Sequence, residues 1–220
     1  MALILNIDST LQQASVTIAK DGEILMEYIN DIQKDHAAFI HVATEKIAKE
    51  IPLKNIDAIA VTVGPGSYTG LRVGLAAAKG FAYTLQKPLI TIGTLEAMAH
   101  TAHSKLQENA NYYLCPLIDA RRMEVFTAIY CNDLKEITPP HALILNENSF
   151  EEILKKEKCY FFGDGMQKCR EIIKNKNAYF LESYLEPEYI SKISSEKFFY
   201  TNFSNTMIVV PLYTKEFYNK

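Results

Sequence analysis

The sequence predicts an α/β protein made of two related halves, each with a mixed β-sheet flanked by helices. Residues 3–104 show three antiparallel-type strands followed by helices that alternate with strands, an order typical of a mixed sheet covered by helices. An apolar strand ending in aspartate occurs at 3–8 and again at 113–119, and an alternating strand follows each. The two segments therefore occupy matching places in two half-chains.

The first half supplies clear signals in chain order. Strands are predicted at 3–8, 14–19, 23–29, 56–63 and 89–92, where residues are apolar or alternate between apolar and polar. Asp21-Gly22 marks a hairpin turn. Asp35 is expected to cap a helix over His36–Glu50, because apolar residues recur there at helical spacing. Further helices are predicted over 71–85 and from Thr94 onward.

The second half is less regular. Strands are predicted at 113–119, 124–130 and 160–162, and helices at 149–156, 166–174 and 191–201, the first of them opened by a capping box at 149–152. The polar stretch 107–111 is the expected boundary, which gives an N-terminal lobe over 1–108 and a smaller C-terminal lobe over 109–220. The tail at 211–215 is predicted to be a loop that packs back on the first lobe.

Composition excludes several classes of protein. The formal net charge is −3, whereas a protein that binds nucleic acid unaided usually carries a basic excess. The four cysteines include no C-x-x-C pair, so we expect reduced thiols rather than a zinc site or a disulfide scaffold. We expect no signal peptide and no membrane span, because residues 1–10 lack a basic region and no apolar run is long enough. These features predict a cytoplasmic protein.

The segment Gly64-Pro65-Gly66-Ser67-Tyr68-Thr69-Gly70 is the most specific local signal. A glycine-rich turn between a strand and a helix lets backbone N–H groups approach an anion or another part of the backbone closely. It lacks the Gly-Lys-Ser/Thr ending of a P-loop, and Pro65 breaks the dinucleotide-binding pattern. Two interpretations stay open: close packing of a small-residue helix face, and direct phosphate binding.

Asp8-Ser9-Thr10, at the end of the first strand, also has two interpretations. It is either a candidate site for Mg²⁺ and phosphate or a turn in which the side chains bond to the backbone. The histidines form a poor metal site, since His36 and His41 lie on different sides of a helix and His100 and His103 lack a third ligand. No nucleophile turn or Cys–His pair supports acyl transfer.

Several segments together resemble the TsaB (YeaZ) family of tRNA threonylcarbamoyladenosine biosynthesis proteins. They are 4–10, 57–61, 64–74, 94–95, 119–125, 163–165 and 211–213, in the order of the family. The glycine segment and Asp119-Ala120-Arg121-Arg122 carry most of the specificity, and the likeness beyond about residue 130 is thin. The resemblance implies an actin-like (hexokinase-like, ASKHA) fold of two related lobes.

The resemblance also implies a function without catalysis by this chain. The family's partner TsaD transfers a threonylcarbamoyl group from threonylcarbamoyl-AMP to the adenosine beside the anticodon of tRNAs that read codons beginning with adenine. In TsaD a His-Leu-Glu-Gly-His segment supplies two metal ligands, whereas this chain has Thr94-Leu95-Glu96-Ala97-Met98, which cannot bind a hard ion in that way. We expect no bound metal. An ATP-dependent kinase or transferase using Asp8 and Asp119, and an M22-like peptidase, are the alternatives.

The resemblance further implies partners. We expect a heterodimer with TsaD, a larger complex that includes the ATPase TsaE, contact with tRNA mainly through the complex, and a weak homodimer when the chain is alone. No cofactor is expected on the free chain, whereas ATP or ADP could bind at Asp8, Ser9 and Thr10 in the complex. The first two long helices are the predicted partner interface: His36, Ile40, Ala43, Ile47, Gly70, Leu71, Gly74, Ala77, Ala78 and Phe81.

Overall fold

The computed structural model describes residues 1–32, 35–108 and 110–215 of the chain. They form two compact units, Met1–Thr94 with Pro187–Leu212 and Leu95–Glu186 with the C-terminal residues from Tyr213. The division differs from the expected boundary near residue 108, because it falls at the start of a helix whose residues from Leu95 belong to the second unit. The segment 187–212, which contains the helix predicted near 191–201, belongs to the first unit, whereas the tail from Tyr213 belongs to the second.

The first unit contains a five-stranded sheet. Its strands are β1 (Leu3–Asp8), β2 (Ala14–Lys20), β3 (Glu23–Asn30), β4 (Ala58–Gly64) and β5 (Leu89–Gly93), in the spatial order β3-β2-β1-β4-β5. β1 pairs antiparallel with β2 and parallel with β4, so the sheet is mixed as predicted. The helices of this unit are α1 (His36–Glu50), α2 (Tyr68–Leu85) and, from the end of the chain, α6 (Pro187–Phe199).

The two faces of this sheet are covered by different helices. Leu5 and Ile7 of β1 belong to the apolar core that also contains buried residues of α1 and α2, such as Ile40 and Ala78. Asn6 points to the opposite face, because side chains alternate along a strand, and its Nδ2 lies 3.3 Å from Ser191 Oγ of α6. Helices on both faces explain why β1 and β4 read as almost continuous apolar runs.

The second unit repeats the strand arrangement. It contains β6 (Tyr112–Asp119), β7 (Glu124–Cys131), β8 (Glu136–Ile144), β9 (Lys158–Phe162) and β10 (Ala178–Phe180), in the order β10-β9-β6-β7-β8. The helices are α3 (Thr94–Ser104), which spans the division between the units, α4 (Glu151–Leu154) and α5 (Met166–Ile172). β6 pairs antiparallel with β7 and parallel with β9, as β1 does with β2 and β4. The predicted repeat is confirmed.

Several helix termini differ from the sequence prediction, and α6 begins four residues before its predicted start at 191. Asp35 precedes α1, but its side chain makes no capping hydrogen bond. α2 begins three residues before the predicted start, because the Ser67 side chain accepts a hydrogen bond from the Gly70 N–H at 3.3 Å and caps it. The capping box at 149–152 is wrong: Ser149 Oγ instead accepts from the Asn146 N–H at 2.9 Å, and α4 is one short turn.

β8 is an element that the sequence did not predict, since it contains Pro139 and Pro140. Proline cannot donate to a ladder of hydrogen bonds and is tolerated mainly at edges and bulges. β8 is an edge strand, and its register with β7 shifts beside the two prolines. In the described part of the chain, no helix is long and apolar enough to cross a membrane.

Candidate functional site

The loop after β1, formed by Asp8, Ser9 and Thr10, is buried and internally hydrogen-bonded. Asp8 is 4% exposed, and its Oδ1 accepts hydrogen bonds from Thr62 Oγ1 at 2.5 Å, Thr10 Oγ1 at 2.7 Å and the Thr10 N–H at 3.1 Å. Burial raises the pKa of Asp8, and these hydrogen bonds offset part of the rise. Ser9 and Thr10 are each 1% exposed. The three residues expected to hold a nucleotide are therefore brought together, but as a buried network.

The glycine segment covers this loop. Ser67 N–H donates to the Thr10 carbonyl at 2.7 Å, and Ser9 Oγ donates to the Gly70 carbonyl at 2.8 Å. A Cβ at Gly66 would overlap the Thr10 carbonyl, one at Gly70 the Ser9 carbonyl, and one at Gly74 the Ser9 hydroxyl. The Gly64–Pro65 peptide bond is cis. Of the two interpretations of the segment, the geometry supports close packing, since its backbone touches the loop instead of an open space.

The predicted interface residues are mostly inside the first unit. Eight of the ten are buried and seat α1 and α2 on the sheet: His36, Ile40, Ala43, Ile47, Gly70, Leu71, Gly74 and Ala78. The Nε2 of His36 lies 3.1 Å from the Gln12 carbonyl oxygen, which holds the ring inside. A partner cannot reach these side chains while the unit stays folded. The helical spacing that singled them out marks the core face of each helix.

The outer face of α2 lines an open apolar groove of about 670 Å³, to which α1 contributes His41. Ala77 and Phe81, the other two predicted residues, are half-buried in its wall. The ring of Phe81 packs edge-on against His41, with 5.9 Å between ring centroids. The remaining lining residues were missed by the sequence analysis: Leu53, Val73, Ala76, Gly80, Thr84 and Leu85. Residues 73, 77, 80 and 84 form a second stripe at helical spacing, which is the signal that could have found them.

Gly80 is unusual within this groove. It lies in the interior of α2 and is exposed, and no described atom lies within 4 Å of where its Cβ would be. Glycine in a helix interior costs about 1 kcal/mol relative to alanine. Gly66, Gly70 and Gly74 each have a packing reason within the chain, whereas Gly80 has none among the described residues. A small residue at this position leaves room for an external group to approach the helix.

The segment Thr94–Met98, which the family resemblance matched to a metal-binding segment, is largely buried here. Thr94 and Met98 are 0% and 1% exposed. The Cε of Met98 lies 2.6 Å from the position that a Cβ of Gly163 would take, so its methyl group fills space against that glycine. Thr94 Oγ1 has no hydrogen-bond partner among the described residues. In the described ranges, no cluster of three His, Cys, Asp or Glu residues could hold a metal ion.

The turn after β6 is more open than the loop after β1. Asp119 forms an ion pair with Lys168 Nζ at 2.6 Å, and its Oδ1 accepts a hydrogen bond from the Arg121 N–H at 2.6 Å. Partial burial acts to raise the pKa of Asp119, but Lys168 and the Arg121 N–H outweigh it, so the pKa lies below its ordinary value. Arg121 and Arg122 are exposed at the tip of the turn. Chemically, this turn presents cations to solvent.

These features define the class of protein. Two units with the same strand order, each with an aspartate at the end of its first strand, form an actin-like fold of two related lobes. The solved structure of YeaZ from Pseudomonas aeruginosa has this fold: it matches 97% of this chain and 100% of its own with a TM-score of 0.79 at 19% identity.

Sequence comparison identifies the family. The model of the family described as "TsaD: tRNA N6-adenosine threonylcarbamoyltransferase" matches residues 23–192. The tRNA threonylcarbamoyladenosine biosynthesis protein TsaB of Bacillus subtilis is 27% identical over 72% of this chain and 69% of its own length. TsaB of Escherichia coli is 33% identical over 59% of this chain, and the match spans about half of that relative, 55%. The chain belongs to this family, and within it to the TsaB (YeaZ) proteins.

Proposed function

We propose that this chain is a non-catalytic subunit in the formation of N6-threonylcarbamoyladenosine in tRNA, and that it acts by binding a TsaD-type transferase. The relatives named TsaB carry this pathway in their names, and the matching family model is that of the transferase. The observation that carries the proposal is the open apolar groove along α2, with Gly80 at its surface. The cytoplasmic location stays a prediction from the sequence.

The groove has the chemistry of a protein interface. Most of its walls are apolar or small, from Val73, Ala77 and Phe81 to Leu85. Contiguous apolar surface on a folded protein marks a contact site more often than a random exposed side chain does. Gly80 and Ala76 are small, so the backbone of a partner helix can come close to the backbone of α2. A helix or helix pair of TsaD is the occupant that we propose.

The proposal of a non-catalytic role is supported by Thr94 and Met98. By the family resemblance, histidines at these two places ligate the metal of TsaD, and here both side chains are buried. A thioether packed against Gly163 and a hydroxyl do not replace two imidazoles for a hard ion. The chemistry of transfer from threonylcarbamoyl-AMP would therefore be carried out by TsaD, with this chain supporting it.

The proposal also includes three features of the complex: binding of ATP or ADP, the presence of TsaE, and contact with tRNA mainly through the complex. ATP or ADP at Asp8, Ser9 and Thr10 would require the glycine segment to move, because Thr10 and Ser9 are hydrogen-bonded to it. That requirement also weighs against the alternative of an ATP-dependent kinase acting through Asp8. We further propose that a second copy of the chain covers the same groove in a weak homodimer when TsaD is absent, through a self-complementary two-fold contact.

Gly80→Trp tests the interface. The Cβ of the substituted side chain would meet no described atom within 4 Å, and the ring would enter the open groove, so the fold should be preserved. We expect binding to the TsaD of the same organism to weaken about 10- to 100-fold in calorimetry, as overpacking of a contact costs roughly 1–3 kcal/mol. The homodimer should dissociate in sedimentation experiments in parallel.

Gly80→Ala is the matched control. It should raise the free energy of unfolding by about 1 kcal/mol while binding TsaD within a few-fold of the wild type. Unchanged binding of TsaD by a folded Gly80→Trp protein, as judged by circular dichroism, would contradict the interface. Gly74→Leu cannot serve as the test, because any Cβ at Gly74 meets the Ser9 hydroxyl and would disturb the fold itself.

A further inference from the structure

The turn between β6 and β7 concentrates arginine in a chain that otherwise uses lysine. Lysine and arginine number 23 together, and only four of them are arginine: Arg72, Arg121, Arg122 and Arg170. Two of the four are therefore adjacent at one exposed turn. Arginine differs from lysine in presenting a planar fork of donors that matches the oxygen pairs of phosphate and carboxylate.

The backbone of this turn does not favour arginine. Arg121 and Arg122 have φ angles of 68° and 50°, both in the left-handed region where Asn and Gly are preferred. The turn is held by the hydrogen bonds from Arg121 N–H to Asp119 Oδ1 at 2.6 Å and from Glu124 N–H to the Arg121 carbonyl at 3.2 Å. Asn-Gly would occupy the same backbone with less strain, so the turn geometry does not explain these residue types. Their side chains remain as the reason.

Two of the three neighbouring carboxylates are paired with lysines. Asp119 accepts from Lys168 Nζ at 2.6 Å, and Glu124 forms an ion pair with Lys215. Asp164 Oδ1 accepts the Asp119 N–H at 2.9 Å. Neither guanidinium group forms a hydrogen bond or ion pair with another described residue. The two arginines are thus exposed cations, and two of the three nearby carboxylates are held by lysines, while the charge of Arg121 also helps to lower the pKa of Asp119.

We propose that the Arg121-Arg122 turn is a binding site for phosphate groups, with each guanidinium contacting phosphate oxygens of one ligand. The phosphates belong to an RNA backbone or to a nucleotide, since both present the same oxygens. Charge on the rest of the chain supplies little non-specific attraction, as the net charge is −3, so the site acts through these two residues. The identity of the RNA as tRNA rests on the proposed function, whereas the phosphate site does not.

The double variant Arg121→Asn, Arg122→Gly separates binding from structure. If the arginines had only a structural role, this change would lower thermal stability. Relief of the left-handed strain instead predicts an unchanged Tm or a rise of about 2–4 °C. Arg170→Gln is the matched control, because it removes an exposed guanidinium of the same unit that lies 5.9 Å from the Phe180 ring. The variant with both arginines changed to lysine keeps the charge and loses the fork.

Binding is measured with two probes on this chain, alone and mixed with TsaD. For a labelled anticodon stem-loop RNA, anisotropy at ~50 mM salt should show about tenfold weaker binding by the Asn-Gly variant, and the slope of log K against log[salt] should fall by about 1–2. If the phosphates are those of a nucleotide, calorimetry should instead show weaker binding of ATP or ADP by the Asn-Gly variant. Arg170→Gln should bind both probes as the wild type does, and the lysine variant should lie between.

The outcomes separate the two sources of phosphate. Loss restricted to RNA assigns the site to a nucleic-acid backbone, and loss restricted to ATP or ADP assigns it to a nucleotide. Equal behaviour of wild type and Asn-Gly variant toward both probes, including no binding by either protein alone and with TsaD, overturns the proposal. The arm with the chain alone does not need TsaD, so failure of the proposed interface leaves this test intact.

Discussion

The two units place an aspartate at the end of equivalent strands, and the surroundings of that aspartate differ. In the first unit Asp8 is 4% exposed, and one of its oxygens accepts three hydrogen bonds. In the second unit the Asp119 side chain is 41% exposed and is held by Lys168. The strand order is the same in both units, so topology alone does not decide whether this corner is closed.

The difference comes from where each glycine turn meets the preceding strand. In the first unit Gly66 and Gly70 touch the carbonyl groups of Thr10 and Ser9, beyond the end of β1, and so they cover the loop. In the second unit Gly163 approaches the Leu117 carbonyl, two residues before Asp119, and the Gly165 N–H donates to the same carbonyl at 3.0 Å. The turn after Asp119 is therefore left exposed. The loop at Asp8 is thus closed by packing, whereas the turn at Asp119 is accessible to solvent.

Gly70→Ala should give the largest effect on this comparison. Its Cβ would overlap the Ser9 carbonyl oxygen, and backbone cannot move aside as a flexible side chain can. We expect the free energy of unfolding in urea to fall by about 3 kcal/mol. Gly80→Ala, the same change in the same helix, should act in the opposite direction. Equal stability of the two variants would mean that the glycine segment does not close the loop.

Truncation of the two aspartates should show a smaller but clear contrast. Asp8→Ala leaves the buried hydroxyl groups of Thr62 and Thr10 without their acceptor, which should cost about 2–3 kcal/mol. Asp119→Ala removes an ion pair that solvent already screens, and it should cost less than about 1 kcal/mol. Urea denaturation of both variants at neutral pH measures the contrast. A larger loss at Asp119 than at Asp8 would contradict the assignment of the closed corner.

The smallest effect, the pH dependence, should have opposite signs at the two corners. Burial raises the folded-state pKa of Asp8 above its ordinary 3.8, so its contribution to stability is complete below that value and is lost as pH rises through the folded pKa. The pKa of Asp119 is lowered, chiefly by Lys168 against the effect of partial burial. Its contribution is present above the ordinary pKa and is lost as pH falls through the folded pKa.

Two isosteric variants isolate these contributions from the rest of the chain. The difference in unfolding free energy between Asp8→Asn and wild type should move in favour of the variant as pH rises from about 3 to 8. The corresponding difference for Asp119→Asn should move in favour of the wild type over the same rise. Parallel changes in both differences would show that the two aspartates share one environment, against the structure.

The sequence predicted most elements because they depend on local patterns. α1 and the strands β1, β2, β4 and β6 lie within a residue or two of their predicted bounds. The errors lie where local patterns have several outcomes. The capping box at 149–152 has the right residue types, but Ser149 bonds to Asn146 instead, and the prolines of β8 conceal an edge strand. The short 3₁₀ turn Leu53–Asn55 and the strand β10 carry signals too brief to detect.

The candidate site shows the same division more sharply. Helical spacing correctly identified Ile40, Ala43 and Ile47 as one face of α1, but periodicity does not state whether that face meets the chain's own sheet or a partner. The structure assigns it to the core. The outer stripe through Ala77 and Gly80 is weaker in sequence, because small residues contribute little to an apolar pattern.

The sequence by itself determined most of the strands, the long helices, the internal repeat and the family, because each of these is encoded in short windows or in motifs kept in order along the chain. Only the tertiary structure decided that Gly66 and Gly70 close the loop of Asp8, that α6 returns to cover the first sheet, and that the Asp119 turn stays open. These outcomes depend on contacts between residues tens of positions apart. A short window of sequence does not contain both partners of such a contact. Whether a residue is buried therefore depends on a distant segment that the window does not include.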